Sequence, residues 1–318
     1  MPRNHPLAGC DAKLRRAQQN LRFLEDELDA YLDRHPEPIP RIGHLDPETQ
    51  DRLVWPLGPV DEPDLILAAL IGDFIHNLRS TLDHLVFELS FRDTRGVIPD
   101  RKIAFPCCFS RAEWDSKRVQ REKLRGINKT HRSMIYKAQP CYRRKDTTTD
   151  PRTIERRRRS ALADLQNFWD HDKHRTLQAI ASAPVHVHGE IIAIQDCEPV
   201  GDLMPNEAVF GRPLKEGTPA YWLPVRPTGP KPEVEMDIKV AVLVTFRNGL
   251  PVLNTLAKLG QWVSRAVEAF APEFDGREAR RLWDAPRGGW IEDVPIRMRT
   301  TFYTTQRADN HSPASEGN

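Results

Sequence analysis

The stretch that decides the fold is LILAALIGDFIHNLRSTLDHLVFELSF, residues 65–91. At about 100° per residue it predicts one amphipathic helix. Its apolar face carries Phe74, Leu78, Leu82, Leu85, Val86 and Leu89. Its opposite face carries His76, Asn77, Arg79, Ser80, Asp83 and His84. A solvent-facing helix surface is usually made of Lys, Glu, Gln and Arg. Imidazoles, a carboxylate, a guanidinium and an amide are instead typical of groups that bind ligands or transfer protons.

Two further helices are predicted around this one. Leucines at helical spacing predict a helix over residues 7–34, which the prolines at 36 and 38 end. A Pro-rich connector follows to residue 63. The third long helix is predicted over residues 153–183 and contains Asp172, Lys173, His174 and Arg175. Charged residues near an apolar stripe should be paired, so Arg79 and Asp83 are expected to meet this helix.

After residue 184 the pattern changes from helical spacing to strand alternation. VHVHGEIIAI and DIKVAVLVTF alternate or are β-branched, as strands are, and a last helix is predicted over residues 251–270. The predicted fold class is α+β, a predominantly α-helical bundle with a small antiparallel β-sheet inserted before the last helix. The predicted divisions are a helical bundle at 1–183, a small β-rich segment at 184–250, a returning helix at 251–275 and a poorly ordered C-terminal region at 276–318.

Composition narrows the class of protein. The chain has 318 residues with a formal net charge of +2, and no apolar run approaches the roughly 18 residues that span a bilayer. The N-terminus lacks the apolar core of a secretory signal. The five cysteines are scattered and form neither a disulfide framework nor CxxC zinc pairs. These features predict a cytoplasmic protein with no membrane partner.

Positive charge is concentrated between residues 117 and 159. A cluster of this kind is the electrostatic footprint of a protein that binds polyanions, nucleic acid being the usual one. The predicted nucleic-acid-binding residues are Arg143, Arg144, Lys145, Arg156, Arg157, Arg158 and Arg159. The alternative is a solvated face whose charge is balanced by acidic helices elsewhere in the fold.

The segment GDFIHNLRSTLDHLVFEL, followed downstream by LQNFWDHDKHR, resembles a family of bacterial and phage proteins. Arg79 to His84 also fits the R-x4-6-H signature of HEPN domains, which are all-helical and include many metal-independent ribonucleases. The resemblance implies that Arg79 steadies a phosphate while His84 transfers a proton during attack by the ribose 2′-OH. It implies RNA as partner, no cofactor or metal, and a homodimer. Ser80 departs from the pattern, because Asn, His or Asp commonly follows the Arg.

Residues expected to support Arg79 and His84 are His76, Asn77, Ser80, Asp83, Asp172, Lys173, His174 and Arg175. Two other interpretations stay open. In the first, the same charges form an interior ion-pair network in a non-catalytic helical interaction module, because such networks mimic active sites in sequence. In the second, His171 and His174 share a metal ion with His76 or His84. The metal ion could use only one of His76 and His84, because these two residues lie about 12 Å apart along the helix axis.

Overall fold

The computed structural model describes residues 5–34, 39–58, 63–97, 101–142, 160–174, 179–182, 187–206, 215–240, 243–246 and 250–274. The helices in chain order are α1 (Ala8–Asp33), α2 (Leu65–Asp93), α3 (Arg111–Trp114), α4 (Lys129–Lys137), α5 (Ala161–His174) and α6 (Val252–Phe270). A π-helix at Arg118–Lys123 separates α3 from α4, and a 3₁₀ turn at Ala271–Glu273 follows α6. The predicted region 276–318 lies outside the described residues.

Helix α2 is the centre of the helical part, and its bounds lie within two residues of the predicted ones. The side chain of Asp64 begins it by accepting a hydrogen bond from the Ile66 N–H at 3.0 Å, a usual role for an N-cap aspartate. All six side chains of the predicted apolar face are buried. They pack against α1, α5 and α6 in one hydrophobic core, which the leucine stripe of α1 completes.

The strands form a nearly closed antiparallel barrel. The strands are β1 (Ile42–Leu45), β2 (Arg52–Pro56), β3 (Ala179–Ser182), β4 (Val187–Gln195), β5 (Cys197–Pro199), β6 (Met204–Pro205), β7 (Pro219–Pro227), β8 (Glu233–Val240) and β9 (Leu243–Phe246). The order in the main sheet is β4-β8-β1-β2-β7-β5, with β6 also on β7. Trp55, Tyr221, Val234 and Met236 belong to its own core, separate from that of the helices.

Asp196 brings the two ends of this sheet together. It alone separates β4 from β5, and its φ of 51° bends the chain between them. The part before the bend pairs with β8, and the part after it pairs with β7. Asp196 also fixes the β7–β8 turn, since its carbonyl accepts from Thr228 N at 2.8 Å and its carboxylate accepts from Lys231 N at 3.0 Å. One bent strand therefore joins both ends of the barrel.

The predicted fold class was wrong about the sheet. The chain is not a predominantly helical bundle with a small sheet, because a seven-stranded near-barrel stands beside the helices. The sheet is also not simply inserted before the last helix. Strands β1 and β2 come from the predicted connector between α1 and α2, within residues 1–183, and lie at the middle of the sheet. The divisions drawn from the sequence stay a prediction.

The second sheet connects the barrel to the helices. Strand β3 pairs with β9 from Ala179↔Phe246 to Ser182↔Leu243, and Phe246 packs into the helical core against Phe168. The predicted helix over 153–183 therefore ends earlier, at His174, and the chain is a strand by residue 179. Among the described residues, α2 is the helix long and apolar enough to cross a membrane, but 56% of that stretch is buried inside the protein. Core helices of soluble proteins pass the same test.

Candidate functional site

Arg79 clamps the segment after α2 onto that helix. Arg79 is only 6% exposed. Its Nη2 donates to the carbonyl oxygen of Phe105 and lies 3.2 Å from Asp83 Oδ1. The same Oδ1 accepts the N–H of Phe105 at 2.8 Å. Arg79, Asp83 and the Phe105 backbone thus close a ring of charge-assisted hydrogen bonds.

The clamp follows from local sequence. Arg79 and Asp83 are four residues apart on one helix, so their side chains lie one turn apart on the same face. Phe105 is fully buried, which draws residues 103–108 down onto α2. Cys108 N then donates to Gln139 Oε1 at 3.0 Å, so the segment is held from the other side as well. The ends of this segment are fixed by bonds that helical spacing alone does not reveal.

A second nitrogen of Arg79 is left without a partner. Nη1 is buried and donates no hydrogen bond to any acceptor among the described residues. Lys123 of the π-helix lies close enough for its pKa to be affected: burial, then Arg79, then Arg118, lower the pKa of Lys123. Arg118 and Lys123 form no ion pair with a described carboxylate. We call Arg79, Arg118 and Lys123 the cationic cluster.

Cys107 borders the cationic cluster but is not an activated nucleophile. Burial raises the pKa of Cys107 to about 12, although the positive charges of Arg79 and Lys123 act in the opposite direction. The thiol is therefore protonated at neutral pH, and thiolate chemistry is unavailable to it. Its Sγ lies 3.8 Å from the Leu162 carbonyl oxygen at the start of α5. Cys107 thus lies between α2 and α5 as a packing residue.

His84 lies on a different side of α2. A residue five positions after Arg79 is rotated by about 140° around the helix axis. The imidazole of His84 is exposed and lies over Gly9 of α1, where an added Cβ would come within 3.2 Å of Nδ1. Burial and the neighbouring Lys13 lower the pKa of His84, while Asp83 raises it. The ring is therefore neutral at neutral pH, but within one chain it does not share a pocket with the Arg79 guanidinium.

The other residues of the predicted set lie mainly between α2 and α5. His76 is exposed and its ring lies 5.1 Å from that of Trp169. Asp172 is half-buried, and burial together with Asp73 raises its pKa, while His76 lowers it. Its Oδ1 lies only 2.6 Å from where a Cβ on Gly72 would be. Among the described side chains, Arg79 and Asp83 form no ion pair with α5, and Asp172 meets Gly72, Asp73 and His76 instead.

The remaining residues of the predicted site either lie on α2 away from the clamp or have side chains that the structure does not describe. Asn77 Nδ2 donates to the Asp73 carbonyl at 2.7 Å within α2, and Ser80 is half-buried. Lys173 and His174 belong to α5, but their side chains are not described, and Arg175 lies outside the described residues. Outside them too are Arg143, Arg144, Lys145, Arg156, Arg157, Arg158 and Arg159. In the described part of the chain, no group of three metal-binding side chains is arranged to hold an ion.

A buried histidine that the predicted site omits, His131, is part of a partly buried ionic cluster. His131 of α4 lies 2.8 Å from Asp93 Oδ2 through Nδ1 and 3.2 Å from Glu273 Oε2 through Nε2. Arg92 bonds the same Glu273 oxygen at 3.1 Å. These hydrogen bonds from His131 and Arg92 lower the pKa of Glu273. The sequence gives little indication of this cluster. Arg125 to His131 matches the R-x4-6-H spacing only by chance, and Asp93 and Glu273 lie far from His131 in the sequence.

Comparison of the chain with protein-family models, curated proteins and solved structures found no match. The resemblance to HEPN domains therefore stays a prediction that rests on the residues quoted above.

Proposed function

We propose that this protein binds RNA through the cationic cluster and does not cleave it within one chain. The observation that carries the proposal is Lys123, a half-buried lysine whose charged form is disfavoured by burial, Arg79 and Arg118. Asp83 pairs with Arg79, but Arg118 and Lys123 have no ion-paired carboxylate among the described residues, so an anion bound beside Lys123 would favour its charged form. Phosphate oxygens suit that position, because Arg and Lys are the usual phosphate-binding side chains.

The unpartnered Nη1 of Arg79 supports the same proposal. Buried guanidinium nitrogens are normally hydrogen-bonded, and each exception calls for an explanation. The clamp with Asp83 and Phe105 occupies Nη2, and the enclosed Nη1 makes no hydrogen bond, so the positive charge of Arg79 acts on a phosphate beside Lys123 through space rather than by direct contact. The π-helix that presents Arg118 and Lys123 agrees with this, since π-helical turns occur frequently at functional sites. RNA, rather than another polyphosphate, is inferred from the HEPN-like motif.

The positions of Arg79 and His84 on α2 disfavour cleavage of RNA within one chain. A general base must come within about 3 Å of the proton that it removes. His84 lies over Gly9 on the α1 side of α2, whereas the Arg79 guanidinium lies under residues 103–108. A phosphate bound at the cationic cluster, on the side of residues 103–108, would therefore be far from the His84 ring of the same chain. Cleavage would need His84 from a second copy.

RNA binding is tested by fluorescence anisotropy of a labelled single-stranded RNA over a series of salt concentrations. We expect Lys123→Met to weaken binding at least fivefold and to reduce the dependence of log K on log salt by about one unit. Lys137→Ala is the matched control, because Lys137 is an exposed lysine at the end of α4. Equal affinities for the wild type and Lys123→Met, at unchanged melting temperature, would contradict the proposal.

The same RNA is then incubated with the wild type in excess EDTA. We expect it to stay intact at every protein concentration. Cleavage that disappears in both Arg79→Ala and His84→Ala, with both variants folded by circular dichroism, would replace the binding proposal with the metal-independent ribonuclease. Cleavage that returns when the two variants are mixed would further assign the site to a dimer, with one residue from each copy.

A further inference from the structure

Strand β4 has one free edge and an incompletely covered face. It pairs with β8 from Val187↔Val240 to Gln195↔Glu233, and no described strand pairs with its other edge. Long free edges are usually protected by lysine, proline or covering loops. Residues 187–195 contain neither lysine nor proline. The protective features of β4 are the bulge between Ile191 and Ala193 and the charge of Glu190.

The side chains on this edge are apolar. Ile191 is 41% exposed, Ile192 54% and Ile194 48%. Ile191 and Ile194 lie opposite Met236 and Val234, which are buried in the barrel core. Directly paired residues point to the same side of a sheet. Two isoleucines of the core-facing side are thus left uncovered where the barrel is open.

Acidic side chains surround the apolar edge. Glu190 is exposed on β4, directly opposite Asp237 of β8, and Glu235 is half-buried opposite Ala193. Glu233 lies at the end of the same ladder and is paired with Lys231 at 3.1 Å. An occupant that adds to β4 should therefore be an extended segment with apolar residues at alternate positions and positive charge between them.

A segment with alternating apolar and positively charged residues lies outside the described residues. Residues 294–307 read VPIRMRTTFYTTQR and contain three arginines and no acid. Ile296, Met298 and Phe302 alternate with Arg297, Arg299 and Tyr303, a pattern typical of a strand. About 20 residues separate Ile296 from the end of the described chain, enough to span roughly 65 Å. A domain of this length has a radius of gyration of about 20 Å, so the segment reaches β4 from any side.

We propose that residues 296–304 of this chain add to the free edge of β4 as a further antiparallel or parallel strand. Their apolar side chains cover Ile191 and Ile194, and Arg297 and Arg299 face Glu190 and its acidic neighbours. The added strand supplies hydrogen-bond partners to the β4 amides that do not bond to β8.

Hydrogen exchange of the full-length chain tests this. In the wild type, the amides of β4 that do not bond to β8 should exchange at least tenfold more slowly than in a Thr300→Pro/Phe302→Pro variant, because proline removes the donors that the pairing needs. Ala314→Pro is the matched control and should leave β4 unchanged. Exchange in α2 and β8 reports that the variant is folded.

Two results would overturn the proposal. Equal exchange of the β4 amides in the wild type and the double-proline variant would show that the segment does not cover the edge. Protection that increases with protein concentration and is insensitive to the prolines would assign the edge to β4 of a second copy. Neither result depends on RNA binding, which is measured separately.

Discussion

His131 Nδ1 lies 2.8 Å from Asp93 Oδ2 in the interior of the helical part, and its other ring nitrogen faces Glu273. Each ring nitrogen thus has a carboxylate oxygen within hydrogen-bond distance, and Asn128 Nδ2 also lies 3.1 Å from Nδ1. Asp93 ends α2, His131 belongs to α4 and Glu273 follows α6. The cluster therefore ties three separate elements together through one imidazole ring.

Replacing His131 should destabilise the fold strongly. His131→Gln removes the ring nitrogens that bond Asp93 and Glu273, and although Arg92 still pairs with Glu273, the buried Asp93 carboxylate loses a partner, which costs about 1 to 3 kcal/mol of unfolding free energy. Urea denaturation followed by circular dichroism measures it. His171→Gln, at an exposed position of α5, is the control and should change stability by less than about 0.5 kcal/mol. A similarly small change for His131→Gln would mean that the cluster is only a surface contact.

The same cluster predicts the direction of an acid effect. Hydrogen bonds from His131 and Arg92 lower the pKa of Glu273 from its usual value of 4.5. The folded state therefore favours the ionised carboxylate. Its contribution is complete above pH 4.5 and is lost as the pH falls through the lower pKa of the folded state. Unfolding titrations between pH 6 and pH 3 should show a smaller loss of stability in Glu273→Gln than in the wild type; parallel curves would contradict this.

Substitutions of Arg79 and of His84 should lower the unfolding free energy by clearly different amounts. Arg79→Met removes the charge that bonds Asp83 and the Phe105 carbonyl and leaves that carbonyl unsatisfied, so we expect a loss of about 2 kcal/mol. His84→Ala removes an exposed ring and should cost less than about 0.5 kcal/mol. Thermal unfolding of both variants provides the comparison. Equal losses would mean that the two residues act as one unit, as a catalytic pair across a dimer does.

The predictable part of this fold is the part encoded by helical spacing. The apolar face of α2 is buried as its sequence predicts, because burial on a helix depends on residues three and four positions apart. Arg79 was placed on the polar face, yet it is buried, because its partner is the backbone of a segment beyond the helix. Local spacing cannot reveal such a partner.

The sequence did not predict the barrel for a related reason. Strands β1 and β2 are short and lie in a proline-rich stretch, so their local pattern resembles a connector. They are strands because Gly43 pairs with Val234 and Leu53 with Leu223 from the far end of the chain. Strand formation of this kind depends on tertiary pairing more than on propensity. Lys123 was likewise visible only as one positive charge among many, since Arg79 and Arg118 meet it through the fold.

Gly72 offers a test of how closely α2 and α5 approach. A Cβ at this position would lie 2.6 Å from Asp172 Oδ1, so Gly72→Ala must displace the Asp172 carboxylate. Overpacking of this kind costs about 1 to 3 kcal/mol. Asp172→Ala in the same chain removes the obstacle, so the double variant should recover most of the stability that Gly72→Ala loses, beyond what Asp172→Ala changes alone. A double-mutant cycle measured by urea denaturation gives this coupling. Additive effects of the two substitutions would show that α2 and α5 pack less closely here, and that Gly72 acts through helix propensity alone.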